Sequence, residues 1–148
     1  MIKKNVIITG ASDGIGAVAA RGLNQAEYNL YLVGRNKAKT AKVANEVDAP
    51  YFTADFSQLD QVRHLAELLQ RTLGDQKIDI LVNNAGGLFG THELTNDGFE
   101  RTIQVDYLAP FLLTQLLMPN FNPGERKISC VNAQKISKLY RNRECLPL

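Results

Sequence analysis

Ile7-Ile8-Thr9-Gly10-Ala11-Ser12-Asp13-Gly14-Ile15-Gly16 decides the fold of this chain. An apolar run, Val6 to Ile8, ends in a glycine-rich turn, and the turn opens into a helix-forming segment, Ile15 to Gln25. The reading is strand, phosphate loop, helix. Gly10 lets the chain turn sharply off the strand, Gly14 lets backbone N–H groups approach a pyrophosphate, and Gly16 lets the helix pack close to the sheet. The helix N-terminus then meets the anion with unpaired N–H groups and its positive dipole end. Three glycines in a turn also suit an ordinary strand–helix connection, so the rest of the chain has to arbitrate.

It does so by alternating strand and helix with no linker or repeat. Strands are expected at Asn29–Val33, Pro50–Thr53, Ile78–Val82 and Lys127–Val131, after a first at Asn5–Thr9. Between them lie helical patterns. The second helix runs from about Lys37 to Val47, with Ala38, Ala41, Ala44 and Val47 near one face. The third follows Ser57 as N-cap, carries Leu59, Val62, Leu65, Ala66, Leu68, Leu69 and Leu73 on an apolar face, and ends at Gly74. A fourth starts near Asp97 and runs through Leu117, with Pro110 inside it to kink it or shift its start. Leu112, Leu113, Leu116 and Leu117 read as core. Such alternation predicts an α/β fold, a doubly wound, Rossmann-type parallel sheet with right-handed crossovers and strand order 3-2-1-4-5.

The bulk properties narrow the function. At 148 residues the chain has material for one domain with a real core. A net charge of +2 is too small to point to nucleic acid. No apolar run is long enough to span a bilayer, and the glycine loop interrupts any signal-peptide reading of the N-terminus. Cys130 and Cys145 give neither a disulfide framework nor a metal spacing, so a reduced cytoplasm is the expected compartment. His64 and His92 have no partner at metal or triad spacing and read as surface histidines.

Thr9-Gly10-x-x-x-Gly14-Ile15-Gly16, with Asn83-Asn84-Ala85-Gly86 at the end of strand four, resembles the short-chain dehydrogenase/reductase family. The stretches Gly98-Phe99-Glu100 and Val105 to Thr114 are similar to the family's fourth helix, closest to its retinol-dehydrogenase-like branch. The resemblance covers residues 4 to about 131. It implies hydride transfer between a nicotinamide cofactor and a small carbonyl or alcohol substrate, an apolar one in that branch. It implies a cofactor site at Gly10, Ser12, Asp13, Gly14, Ile15, Gly16, Asn83, Ala85 and Gly86, with Asp55 at the adenine amino group; Asp55 also reads as a helix-start carboxylate. Pairing into a homo-oligomer through the fourth helix is implied as well.

Strand two ends in Val33-Gly34-Arg35-Asn36-Lys37. An acidic residue there would hold the ribose hydroxyls of NAD. Arg35 instead suits the 2′-phosphate of NADP, which a carboxylate would repel and a guanidinium can grip with paired hydrogen bonds. NADP is therefore expected over NAD, against the plainer reading of Arg35 and Lys37 as solvated side chains.

The family's proton-transfer machinery does not read through. Asp106 replaces an asparagine in the fourth helix, and Asn132 and Ala133 stand where a pair of serines should end strand five. The Tyr-x-x-x-Lys pair is missing. Four residues beyond Tyr140 stands Glu144, whose charge would raise a tyrosine pKa rather than lower it. Agreement is lost after Ile128. This leads us to expect an incomplete cofactor-binding domain over 1–131, truncated after strand five, with a divergent basic tail at 132–148 carrying Lys135, Lys138, Arg141 and Arg143. A frameshift, an altered splice or a damaged gene would account for it, and turnover by this chain alone is not expected. The alternative is a non-catalytic NADP-binding fragment.

Overall fold

A computed structural model describes residues 3–24, 28–90, 92–124 and 127–130. Five parallel strands, β1 (Lys4–Thr9), β2 (Tyr28–Gly34), β3 (Tyr51–Thr53), β4 (Ile80–Asn83) and β5 (Lys127–Cys130), form one sheet in the order β3-β2-β1-β4-β5. This is the doubly wound order expected from the sequence. Its helices are α1 (Gly14–Asn24), α2 (Lys37–Glu46), α3 (Leu59–Leu73), the single turn α4 (Arg101–Ile103) and α5 (Ala109–Leu117).

Strand β1 shows why the sheet is central. Successive side chains of a strand point to opposite faces. Val6 and Ile8 join Leu30 and Leu32 in a core with α1 and α2, while Ile7 joins Val33 and Leu81 in a core with α3 and α5. All three β1 residues are completely buried. Burial on both faces requires a continuous apolar run, and each such side chain stabilises the fold by roughly 1.5–3 kcal/mol. On α3, Val62, Leu65, Ala66, Leu69 and Leu73 recur at helical spacing and supply the second core.

Several local expectations are corrected. The buried face of α2 is Thr40, Val43 and Ala44, continued by Val47; Ala44 and Val47 lie on it as expected, whereas Ala38 is exposed and Ala41 half-buried. Ser57 does not cap α3. Its N–H and hydroxyl both donate to Asp55 Oδ1, at 2.9 and 2.7 Å, and the Leu59 N–H is taken by Asp97 Oδ2 at 2.9 Å. A carboxylate 38 residues away in sequence thus does the work of a local cap. Ile78 stands outside β4 and bridges only to Phe121.

The fourth helical region begins at Arg101 rather than near Asp97. The Glu100 carboxylate accepts the N–H groups of Thr102 and Ile103 at 3.0 and 2.9 Å. Gln104–Leu108 is a π-helical segment, closed by the Ala109 N–H donating to the Gln104 carbonyl. Pro110 explains it. Proline has no N–H to give and its ring crowds the carbonyl four residues back, so the turn widens before α5 starts at Ala109. The expected end of strand five at Val131, and the readings on Asn132, Ala133, Tyr140, Glu144, Cys145 and the basic tail, lie outside the described residues.

Candidate functional site

The order of the sheet reverses beside β1. The chain passes from β1 to β2 on one side and crosses from β3 to β4 on the other, which leaves a crevice at the strands' C-terminal ends. A cleft of about 560 Å³ lies there, lined by Gly10 and Ser12–Ile15 of the first loop, by Val33–Asn36 and Lys39 of the β2–α2 corner, by Ala54–Phe56, and by Asn84–Gly87 with Phe89 and Val105.

The first loop is shaped by what glycine lacks. Gly10 has φ +67°, and a Cβ there would stand 2.8 Å from Ala85 Cα. A Cβ on Gly16 would run into the Gly10 carbonyl and come within 2.6 Å of Asn84 Nδ2. Gly16 is buried and holds the start of α1 against the loop, outside the cleft lining. Gly14 differs: its φ is +54°, but nothing lies within 4 Å of its Cβ position, and it lines the cleft. Ala11 N–H donates to the Val33 carbonyl at 3.0 Å and ties the loop to β2.

At the corner after β2, Arg35 lines the cleft, and so does Lys39, whose ammonium is 3.0 Å from Asp13 Oδ2. Lys37 is not among the lining residues. Asn36 caps α2 by accepting the Lys39 N–H at 3.0 Å. Gly34 is a further glycine by necessity, because a Cβ would strike Thr40 Oγ1; only the close approach of α2 reveals it. Asp55 lines the cleft with Oδ1 engaged by Ser57 and its N–H given to Gln61 Oε1, which is the helix-start role weighed for it.

The Asn-Asn-Ala-Gly stretch divides. Asn84 Nδ2 donates to the Thr9 and Gly10 carbonyls, each at 3.2 Å, while the N–H groups of Asn84 and Ala85 both donate to Thr9 Oγ1 at 3.0 Å. This sews β4 to the glycine loop. Asn84 and Gly87 line the cleft together with Ala85 and Gly86. Asn83, expected in the site, is buried away from it, with Nδ2 donating to Thr114 Oγ1 at 3.1 Å; neighbouring strand residues face opposite ways.

The π-helical segment holds the opposite wall, which the motifs did not indicate. Gln104, fully buried, donates from Nε2 to the Phe56 carbonyl at 3.3 Å and to Asp97 Oδ2 at 2.8 Å, and its Oε1 accepts from Thr95 Oγ1. Val105 lies in the lining, and Asp106 Oδ1 accepts the Gly87 N–H at 2.9 Å. Burial works to raise the Glu100 carboxyl, but the N–H groups of Ile103 and Thr102 outweigh it and hold it below the usual glutamate range.

These residues fit a dinucleotide. Gly14, in the cleft at the opening turn of α1, suits a pyrophosphate, Arg35 makes no ion pair with any described residue, and the volume is in the range of small-molecule sites. Among the described residues, no group of three His, Cys, Asp or Glu could hold a metal, and no helix is long and apolar enough to cross a membrane.

Comparison with known proteins agrees with this architecture. The short chain dehydrogenase family model matches residues 4–134. A Streptomyces sp. (strain C5) protein provisionally named a daunorubicin C-13 ketoreductase, DnrU, is 44% identical over 127 residues, covering 82% of this chain and 44% of its own length. Mouse retinol dehydrogenase 13 is 35% identical over 120 residues, covering 78% of this chain and 36% of that protein. A metagenomic short-chain oxidoreductase solved in complex with NADP superposes with a TM-score of 0.72 at 31% identity, over 86% of this chain and 61% of that one. The chain thus spans less than half the length of these curated relatives.

Proposed function

The chain belongs to the short-chain dehydrogenase family, and from that premise we propose that it carries the cofactor-binding half of an NADP-dependent oxidoreductase acting on a small carbonyl or alcohol compound. When bound, the cofactor supplies or accepts a hydride at the substrate carbon. The chain's own residues bind and orient it. Gly10, Ser12, Asp13, Gly14 and Ile15 would form the pyrophosphate loop, with Gly16 holding α1 against it. Arg35 would grip the 2′-phosphate, Asp55 would stand at the adenine, and Asn84, Ala85 and Gly86 would run beside the second ribose.

One observation carries the choice of NADP: Arg35, at the end of β2, lines the cleft where a carboxylate would favour NAD. The metagenomic relative solved with NADP supports it. Titrating NADPH and NADH against the wild-type chain and Arg35→Asp tests the reading. Wild type should prefer NADPH by about tenfold or more, as expected of a charge-assisted pair, and the substitution should abolish or reverse the preference. Equal affinities in the wild type would remove Arg35 from the site.

A second reading, binding without turnover, is favoured by Glu144 standing four residues after Tyr140. Steady NADPH oxidation by this chain with an apolar aldehyde would sink it. We also infer self-association through the α4–α5 region, where Ile103, Tyr107 and Phe111 are exposed at four-residue spacing and the Tyr107 and Phe111 rings stack with centroids 6.4 Å apart. Sedimentation should show a dimer that Tyr107→Glu dissociates; a wild-type monomer at all concentrations would refute it.

A further inference from the structure

The charged residues lining the cleft are Asp13, Arg35, Lys39 and Asp55, two of each sign. Their formal charges cancel, an odd balance for a site meant to attract a molecule with three phosphate groups. Asp55 is engaged by Ser57 on its own loop. Asp13 is different. It precedes Gly14 in the phosphate loop and is paired with Lys39 of α2 at 3.0 Å. Lys39 is pinned at its backbone, because its N–H is bound by the Asn36 cap, while its side chain and that of Asp13 are more than half exposed. Both Lys39 and Arg35 line the cleft.

An exposed ion pair of this kind is held weakly, so Lys39 can leave Asp13 at little cost. A phosphate dianion beside Arg35 is a stronger partner than a single carboxylate. We propose that Asp13 and Lys39 form an exchangeable latch that sets how strongly the cleft selects a 2′-phosphorylated nucleotide. Without such a nucleotide, Asp13 holds Lys39. With one, Lys39 joins Arg35 on the extra phosphate, and the pull of Asp13 limits the gain. Asp13 thereby acts as a specificity-setting residue that lowers affinity, although it sits in the loop that binds the cofactor. The inference rests on the NADP reading above.

The test is a double-mutant cycle on the full chain, titrating NADPH and NADH against wild type, Asp13→Asn, Lys39→Met and the double variant. Melting curves would check that these surface changes leave the fold intact. At low salt Asp13→Asn should tighten NADPH by about two- to fivefold more than it tightens NADH. Lys39→Met should weaken NADPH by a similar factor, and in that background Asp13→Asn should lose its benefit. The gain should fade at high salt, since both groups are exposed.

If Asp13→Asn helps equally with and without Lys39, Asp13 merely repels the phosphates and the latch is wrong. If both cofactors respond alike, Asp13 acts on the shared pyrophosphate and the latch is also wrong. An NADPH preference that depends on Arg35 yet ignores Asp13 and Lys39 would overturn the latch alone. A wild-type chain that shows no NADPH preference would overturn the NADP reading, and the latch with it.

Discussion

The two walls of the cleft are built by different means. On the β1 side the wall is backbone: Gly10 at positive φ and Gly34 against Thr40, with Gly16 behind the loop and no room there for a methyl group. On the β4 side the wall is held by side chains reaching across the fold, Gln104 to the Phe56 carbonyl and Asp106 to the Gly87 N–H. On the β1 side there is no room for an added Cβ at Gly10, Gly16 or Gly34, while at Gly14 the space is open. The second wall depends on the donors and acceptors of buried Gln104 and Asp106. A ligand site can therefore have one edge fixed by steric exclusion and the other by polar satisfaction, with separate failure modes.

Breaking the first wall should have the largest effect. Gly16→Ala sets a methyl group against the Gly10 carbonyl, which is backbone and cannot swing away. We expect a loss of about 3 kcal/mol or more in urea unfolding, in the range reserved for severe core defects. Gly14→Ala is the control, because its positive φ costs roughly 1 kcal/mol but the space is open. Equal losses for the two would mean that conformation, not contact, shapes the loop.

Gln104→Leu attacks the second wall. Volume is nearly kept, but the Phe56 carbonyl, the Asp97 carboxylate and the Thr95 hydroxyl each lose their Gln104 partner. Urea unfolding should show a loss of about 2–3 kcal/mol from buried unpaired groups. A neutral result would mean that water replaces the glutamine and the wall does not depend on it.

The smallest effect concerns the Glu100 cap, which positions the start of the same wall. Its lowered pKa means that the charged form is favoured in the folded state. The stabilisation is therefore complete above its ordinary value of 4.5 and lost as pH falls through the lowered folded value. Glu100→Gln should cost roughly 0.5 kcal/mol at neutral pH and flatten the loss of stability in acid. An unchanged acid profile would show that the cap adds nothing.

Legibility followed the same division. The glycine loop was readable because its requirement is local: a turn off a strand into a helix needs residues without Cβ at fixed spacing. Asn84 lay within a motif already quoted, yet its bonds to the Thr9 and Gly10 carbonyls join positions about 75 residues apart. Gln104 carried no signal, since a glutamine in a helical stretch reads as a solvated side chain. Ser57 has the local signature of a cap, but the residue that serves α3, Asp97, is distant in sequence.

By itself the sequence determined the strand–helix alternation, the order of the sheet and the position of the phosphate loop. These depend on periodicity and on backbone conformations that particular residues permit or forbid. Only the tertiary structure decided that Asn83 turns away from the cleft, that Lys39 rather than Lys37 reaches it, and that a π-helical segment before Pro110 fastens its far wall. The physical reason is range. Steric and propensity rules act over a few residues, whereas hydrogen bonds and ion pairs are set by which distant groups the packed sheet and helices bring within about 3 Å of each other.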